Sequence, residues 1–203
     1  MPEYELIYFP ATGRAEVIRW CFHYGGIPFK DTRVPRDQWP SFKSNTKVIP
    51  FGQVPILLID GKPLGESHTI TRYVAKLASL DGGPDPVKIA HIDQAYEMCR
   101  NFFDDTFEYY LVQNGVLQGD VQKLKREKFE PNVEKHFGKI KGLQKSSGFF
   151  GDTVTYADLF WGRVMEFYHE KNPEIIQKYP EFVELIKKVK GLSQLQNYFN
   201  SQK

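Results

Sequence analysis

The sequence predicts an α/β domain followed by an all-helical bundle. Short apolar or aromatic runs of strand length alternate with helical patterns in the first third of the chain. Residues 78–86 are dense in Gly, Pro and Asp, which is typical of a linker. After this segment only helical patterns remain, as in a helical bundle. We therefore expect one domain over residues 1–77, a linker over 78–86 and a second domain over 87–203.

The N-terminal domain is expected to open with a strand, a helix and a second strand. Tyr4 to Phe9 is an aromatic and apolar run, and Arg14 to Tyr24 has the apolar spacing of an amphipathic helix. Gly25-Gly26 follows the helix as its terminator, and Pro28 to Val34 is a weaker strand. This order implies two parallel strands joined by a right-handed crossover. The next segment, Arg36 to Lys43, is expected to be irregular.

The stretch from Pro50 to Ser67 predicts a β-hairpin that leads into a helix. Ile56 to Ile59 is long enough for a buried strand, and Asp60-Gly61 is a strong two-residue turn signal. Ser67 precedes a helical pattern that runs to Leu77, so we expect it to cap that helix. The domain then reads βαβ–ββα, with a mixed four-stranded sheet.

Two features of this hairpin are unusual for a fold element. Pro55 stands at the first residue of a strand, where it cannot donate to a ladder. Glu66-Ser67 places polar groups beside the free N–H groups of a helix start, where an anionic ligand group is stabilised. From this stretch alone, an edge hairpin with an ordinary cap is the slightly favoured interpretation.

The C-terminal domain is expected to contain two long helices and then shorter ones. Helical patterns run from Val87 to about Val116 and from Val121 to Lys141. Thr155 and Asp158 have the spacing of a capping box at the start of a strongly apolar helix.

Composition excludes several classes of function. The net charge of +2 is too small to imply nucleic acid. No apolar run approaches transmembrane length, and the N-terminus, with Glu3 and Glu5, does not resemble a signal peptide. Cys21 and Cys99 make no disulfide scaffold and no metal-ligand spacing, so we expect inert thiols, no metal and a cytoplasmic protein. Aromatic residues make up 15%, which suits a core or a site for flat apolar ligands.

Candidate chemistry is sparse on the pattern alone. Tyr8 lies at a strand end and Arg14 at the following helix start, and ligands of α/β units collect beyond the carboxyl ends of strands. By pattern alone, a residue such as Tyr8 more often packs against neighbouring strands than contacts a ligand.

The combination of residues resembles a known family over essentially the whole chain. It comprises the βαβ–ββα unit, the linker, the helical half with its capping box and these residues: Tyr8, Arg14, Trp39, Lys43, Gln53-Val54-Pro55 and Glu66-Ser67. This set resembles the cytosolic glutathione transferases. The Tyr-type start and the Trp-x-x-x-Lys pair look most like the sigma class, which contains many invertebrate and nematode enzymes. The resemblance implies a thioredoxin-like N-terminal domain and a homodimer.

The family resemblance implies a role for each of these residues. Tyr8 matches the catalytic tyrosine, whose hydroxyl donates to the glutathione sulfur and favours its thiolate, and Arg14 supports it electrostatically. Trp39 and Lys43 match contacts to the glycine carboxylate of glutathione. The remaining matches are Val54, which pairs through its backbone with the cysteinyl part, Pro55 as a cis-proline, Gln53 as an assisting residue, and Ser67 at the γ-glutamyl carboxylate.

Two positions depart from the family pattern. Glu66 stands where most sigma-like sequences have Gln, and its carboxylate would accept from the γ-glutamyl ammonium but repel the carboxylate. The aspartate that reaches the partner subunit's glutathione aligns with Asn101, with Asp104 one turn later, so either could supply that contact.

The expected function is conjugation of glutathione, a co-substrate and not a cofactor, to small apolar electrophiles, as in detoxification. The alternatives are a carrier for haem or other large apolar ligands, a prostaglandin-H2 D-isomerase-like enzyme, and a transferase-fold module without activity. The prostaglandin alternative needs the same Tyr8 and differs only in its substrate, whereas the presence of Tyr8, Arg14 and Ser67 argues against an inactive module.

Overall fold

The computed structural model describes residues 2–202, which form two compact units. The first unit contains the chain up to Asp81 together with the segment from Leu192 onward, and the second is Gly82–Gly191. The segment from Leu192 onward therefore belongs to the unit that contains the sheet, although the sequence suggested that it belongs to the helical half. The limits 1–77, 78–86 and 87–203 stay a prediction, since a division into two compact units does not define a linker.

The first unit is built on a mixed four-stranded sheet, and the predicted fold class is confirmed. The strand order is β2-β1-β3-β4, with β1 parallel to β2 and the other neighbours antiparallel. Its elements are β1 (Tyr4–Tyr8), α1 (Glu16–Tyr24), β2 (Lys30–Arg33), α2 (Trp39–Lys43), β3 (Ile56–Ile59), β4 (Lys62–Leu64) and α3 (Ser67–Leu77). A 3-10 turn, Gly13–Ala15, precedes α1.

Local signals explain most of these elements. Asp60 and Gly61 both have positive φ, 48° and 77°, as the predicted tight hairpin turn requires. Val54 and Pro55 are joined by a cis peptide bond, as the resemblance implied. The prediction that Arg36 to Lys43 is irregular is wrong, because Trp39–Lys43 forms a short helix. Pro40 lies in its first turn, where a missing N–H costs no helical hydrogen bond.

One side of the sheet packs on α2 through an apolar cluster. Its buried members are Ile7, Val34, Ile49 and Ile56. Trp39 and Phe42 pack against them and are themselves only partly buried. Because Ile7 directly precedes Tyr8, the cluster anchors the strand end that presents the tyrosine. In the same unit, α1 and α3 pack against each other.

The segment after Leu192 adds a 3-10 turn, Ser193–Leu195, and the last helix, α11 (Gln196–Ser201). The 3-10 turn packs on α1, and Phe199 meets the ring of Trp20 edge to face at 5.2 Å. This apolar contact holds the segment against the helix that follows Tyr8.

The second unit is helical throughout its described elements. They are α4 (Pro86–Asp105), α5 (Phe107–Gln113), α6 (Val121–Leu124), α7 (Glu130–Lys141), α8 (Tyr156–Lys171), α9 (Pro173–Ile176) and α10 (Pro180–Lys190). The single helix predicted from Val87 to about Val116 is wrong at Thr106, where it breaks. The buried Thr106 hydroxyl donates to the carbonyl of Phe102, at 2.8 Å, and so competes with regular backbone bonding.

The predicted helix from Val121 to Lys141 is continuous but carries a π turn, Lys125–Phe129. The N–H of Glu130 donates to the carbonyl of Lys125, five residues back. Pro131 follows, and a proline ring clashes with the carbonyl four residues earlier in a regular helix, which the wider turn relieves.

The predicted capping box of α8 is confirmed. A carboxylate oxygen of Asp158 accepts from the backbone N–H of Thr155 at 2.7 Å and from its hydroxyl at 2.6 Å. Across residues 2–202, no helix has the length and the hydropathy that crossing a membrane would require.

Candidate active site

Tyr8 presents its hydroxyl at the end of β1, beside the turn that leads into α1. Its Oη accepts the backbone N–H of Arg14, with an N–O distance of 3.2 Å. Gly13 allows this approach, because a Cβ at that position would lie 2.5 Å from the same oxygen. Gly13 also has a φ of +43°, which other residues rarely adopt. The turn therefore shapes both the backbone and the space around the Tyr8 hydroxyl.

A pocket of about 300 Å³ lies in the same unit, where the β3 start meets the α3 start. Its lining residues are Arg14, Phe51, Gln53, Val54, Pro55, Ile56, Gly65, Glu66 and Ser67. Six of the nine residues singled out from the sequence thus surround one cavity. Arg14 lines the pocket, and its backbone N–H donates a hydrogen bond to Tyr8 Oη. The tyrosine hydroxyl therefore lies at the edge of the pocket.

The start of α3 differs from the expectation. Ser67 is the first residue of the helix and not its cap, so that prediction is wrong. The cap position belongs to Glu66, which has φ 65° and ψ 109° and makes no side-chain capping bond. Ser67 is buried, and its carbonyl accepts the hydroxyl of Thr71 at 2.8 Å. Strained backbone of this kind is frequent at ligand sites, and here it directs the Glu66–Ser67 pair to the pocket.

Trp39 and Lys43 lie on α2 and are not among the lining residues. Trp39 is partly buried and meets the ring of Phe9 edge to face, with 5.3 Å between centroids. Lys43 is exposed and covers Gly52, whose Cβ would lie 2.9 Å from its Cε. Both residues therefore lie beside the site: Trp39 contacts Phe9, which follows Tyr8, and Lys43 contacts Gly52, which precedes Gln53.

The pocket combines charges of both signs. Arg14 supplies a cation, and its Nη1 lies 3.5 Å from Nε2 of His68 in the first turn of α3. Glu66 supplies an exposed carboxylate, and the helix start adds backbone N–H groups. A site with these three features can hold a ligand that itself carries an ammonium and carboxylates.

Sequence reasoning missed three contributors. Phe51 lines the pocket and is 65% exposed, but its segment has the sequence pattern of a loop. The sequence predicts Gly13 only as a turn residue. Arg19 is fully buried on α1 and lies beside the Tyr8 ring. The available signal for it was a Glu16 and Arg19 pair three residues apart among the buried positions of an amphipathic helix.

Comparison with known proteins identifies both parts of the chain. Residues 4–76 match the model of the glutathione S-transferase N-terminal domain, and residues 104–202 match that of the glutathione S-transferase C-terminal domain.

Similar proteins span the whole length. The probable glutathione S-transferase 6 of Caenorhabditis elegans is 33% identical over 201 residues, covering 98% of this chain and 96% of that protein. The structure of monomeric Na-GST-3, a glutathione S-transferase from the hookworm Necator americanus, superposes with a TM-score of 0.90 at 33% identity, covering 99% and 98% of the two chains. The human hematopoietic prostaglandin D synthase is 30% identical over 201 residues, with 98% and 96% coverage.

Proposed function

Because the chain belongs to the glutathione transferase family and is a glutathione transferase, we propose that it conjugates glutathione through a thiolate held by Tyr8. The observation that carries this is the bond from the Arg14 N–H to Tyr8 Oη. A phenol has one proton and can also accept. Since Oη already accepts from the backbone, its own proton is available to a sulfur placed beside it.

The size of this effect matches what the chemistry needs. A free thiol has a pKa of about 8.5 and is mostly protonated at neutral pH. Lowering that pKa by one to two units takes about 1.4 to 2.7 kcal/mol of differential stabilisation. A hydrogen bond to a charged group contributes about 1.5–3 kcal/mol, so one bond from Tyr8 is sufficient. The guanidinium of Arg14 adds attraction for the anion.

The reaction then follows from holding the two reactants together. The glutathione thiol releases its proton to solvent, and the sulfur lone pair forms a bond to the electrophilic carbon. The leaving group departs with the electrons of the broken bond, or the electrophile accepts a proton after addition. Placement of both reactants supplies much of the remaining rate increase.

The pocket suggests how the peptide is seated. Ser67 and the N–H groups of α3 bind the γ-glutamyl carboxylate, and Glu66 accepts from its ammonium group. The backbone of Val54 pairs with the cysteinyl part. Pro55 orients that backbone and Gln53 assists. Trp39 and Lys43 bind the glycine carboxylate from α2, which requires the glutathione chain to extend past Gln53 toward Gly52.

Substitution of Tyr8 tests the catalytic role. Tyr8→Phe removes the hydroxyl and keeps the ring, so conjugation of a chloronitroaromatic at pH 7 should fall by about 10- to 100-fold as the thiolate fraction drops. Steady-state rates and the pKa of bound glutathione, followed by thiolate absorbance, provide the measurement. Equal rates in the two proteins would exclude the role given to Tyr8.

Retention on immobilised glutathione tests the peptide site separately from the chemistry. A Ser67→Ala Lys43→Ala variant should elute early, whereas Tyr8→Phe should be retained like the natural protein. Lys62→Ala provides a matched control, since it removes an exposed lysine of β4 that is not among the pocket-lining residues. Retention of the double variant would contradict the proposed seating.

The finer assignments rest on the family resemblance. We propose a sigma-like enzyme of detoxification that works in the cytoplasm as a homodimer. The Necator relative is described as monomeric, so sedimentation of this chain at micromolar concentration is the decisive measurement. In a dimer, Asn101 or Asp104 reaches the partner's glutathione; Asn101 is exposed, while Asp104 is already bonded to Arg100 at 3.1 Å.

A second candidate is isomerisation of prostaglandin H2. The 30% identity with human hematopoietic prostaglandin D synthase favours it, and it would use the same Tyr8 thiolate. Product analysis with prostaglandin H2 separates the two activities, because only isomerisation leaves glutathione unconsumed. The family models and the relatives support conjugation over haem carriage, so haem binding is not proposed.

A further inference from the structure

A buried network of charged side chains lies on α1. The side chain of Arg19 is fully buried. Its Nε donates to both carboxylate oxygens of Asp31, at 3.1 and 3.2 Å, and its Nη1 donates to Oε2 of Glu16 at 3.1 Å. The same Nη1 donates to the carbonyl of Ala11 at 2.9 Å. A buried cation needs such partners, and removing one of them destabilises the arrangement strongly.

This network touches Tyr8 in two ways. The guanidinium carbon of Arg19 lies 5.9 Å from the centroid of the Tyr8 ring, within the range of cation–π attraction. Arg19 also holds the carbonyl of Ala11, in the same turn whose Arg14 N–H donates to Tyr8 Oη. The position of Arg19 therefore affects both the ring and the hydroxyl of the tyrosine.

The last helix completes the network from the other end of the sequence. The hydroxyl of Tyr198 donates to Oε1 of Glu16 at 2.9 Å, and Nε1 of Trp20 donates to the same oxygen at 3.0 Å. Burial, together with the neighbouring Glu16 carboxylate, raises the pKa of Tyr198, so its hydroxyl keeps its proton and donates. Its ring stacks on His23, with centroids 4.5 Å apart. With Oε1 held by two donors, Oε2 faces Arg19.

We propose that Tyr198 is a positioning residue for the transferase reaction, acting on Tyr8 through Glu16 and Arg19. Its hydroxyl fixes the Glu16 carboxylate, Glu16 fixes the Arg19 guanidinium, and Arg19 fixes the turn and the ring of Tyr8. This inference rests on the proposed catalytic role of Tyr8. It gives the segment after Leu192 a part in the chemistry of the sheet unit.

The test removes one hydroxyl and leaves the packing in place. Tyr198→Phe keeps the ring against His23, and Trp20 still donates to Glu16, so the protein should fold. We expect the pKa of bound glutathione to rise by about half a unit and kcat/KM at pH 6.5 to fall about 3-fold, with the affinity for glutathione unchanged. Asn197→Ala, which alters an exposed residue of the same helix, should match the natural protein in all three measurements.

A double-mutant cycle separates positioning from a general loss of structure. If Tyr198 acts through Tyr8, the fold change caused by Tyr198→Phe should vanish in a Tyr8→Phe background. An unchanged thiol pKa in Tyr198→Phe, or the same fold change in both backgrounds, would overturn the inference. Those results would leave the role of Tyr8 intact, since that role depends on the Tyr8→Phe single variant alone.

Discussion

Gly13→Ala should damage catalysis far more than it damages stability. The added Cβ would lie 2.5 Å from Tyr8 Oη, whereas ordinary contacts begin at 3.4 Å. The hydroxyl must therefore move by about 0.9 Å, the difference between these distances. That shift breaks the bond from the Arg14 N–H, which is already 3.2 Å long. A misplacement of about 1 Å can cost about 100-fold in rate, so we expect kcat/KM to fall by about 10- to 100-fold.

Gly26→Ala is the matched control for this prediction. Gly26 also has a positive φ, 59°, and no described residue lies within 4 Å of the Cβ that would be added. Each substitution thus carries the same backbone penalty of about 1 kcal/mol, and only one of them meets Tyr8.

The assay compares conjugation rates, the pKa of bound glutathione and urea unfolding for both variants. Gly13→Ala should raise the thiol pKa toward its free value, while Gly26→Ala should lose stability and keep its rate. A Gly13→Ala enzyme with near-natural kcat/KM would refute the reasoning, as would an equal loss of activity in Gly26→Ala.

Three further predictions concern stability and reactivity. Burial raises the pKa of Asp158 to about 6, against an ordinary value of 3.8. Between these pH values the folded state holds a proton that the unfolded state has lost, so the folded state becomes less stable as the pH rises. In urea unfolding, the free energy of unfolding of the natural protein should fall by up to about 3 kcal/mol relative to Asp158→Asn between pH 4 and pH 6. A difference that stays constant with pH would contradict this. Burial raises the pKa of both Cys21 and Cys99, so a thiol reagent should label them only at the rate of unfolding, and fast labelling of the folded protein would show that they are accessible. Tyr168→Phe removes a 2.8 Å hydrogen bond to the hydroxyl oxygen of Thr106 and should lower the free energy of unfolding by about 1 kcal/mol, an effect that an unchanged unfolding midpoint would rule out.

The elements that sequence reasoning placed correctly are those with short-range signals. Asp60-Gly61 determines its own turn, and Thr155 with Asp158 caps its own helix within four residues. The break at Thr106 was missed because it depends on a side chain that bonds the backbone of its own helix, while the apolar pattern continues past it. Helix α2 was missed because Pro40 and the polar residues of that segment also fit a loop.

The candidate site shows the same division. Six of the nine pocket-lining residues were predicted because the family resemblance named them, whereas Phe51, which also lines the pocket, was not. Arg19 carries no motif, and its importance arises from Asp31 on β2 and from a residue 182 positions beyond Glu16. Contacts at that separation leave no periodic trace in a single sequence.

The bond between Glu16 and Tyr198 also has a consequence for the order in which the protein can be made. At a synthesis rate of about 5–20 residues per second, Tyr198, which lies 182 positions after Glu16, is synthesised about 10 to 40 s later. During that interval the sheet unit can form its strands, but Glu16 lacks one of its two Oε1 donors and Trp20 lacks the Phe199 ring. The first unit to emerge from the ribosome is thus completed only after the whole helical unit has been synthesised.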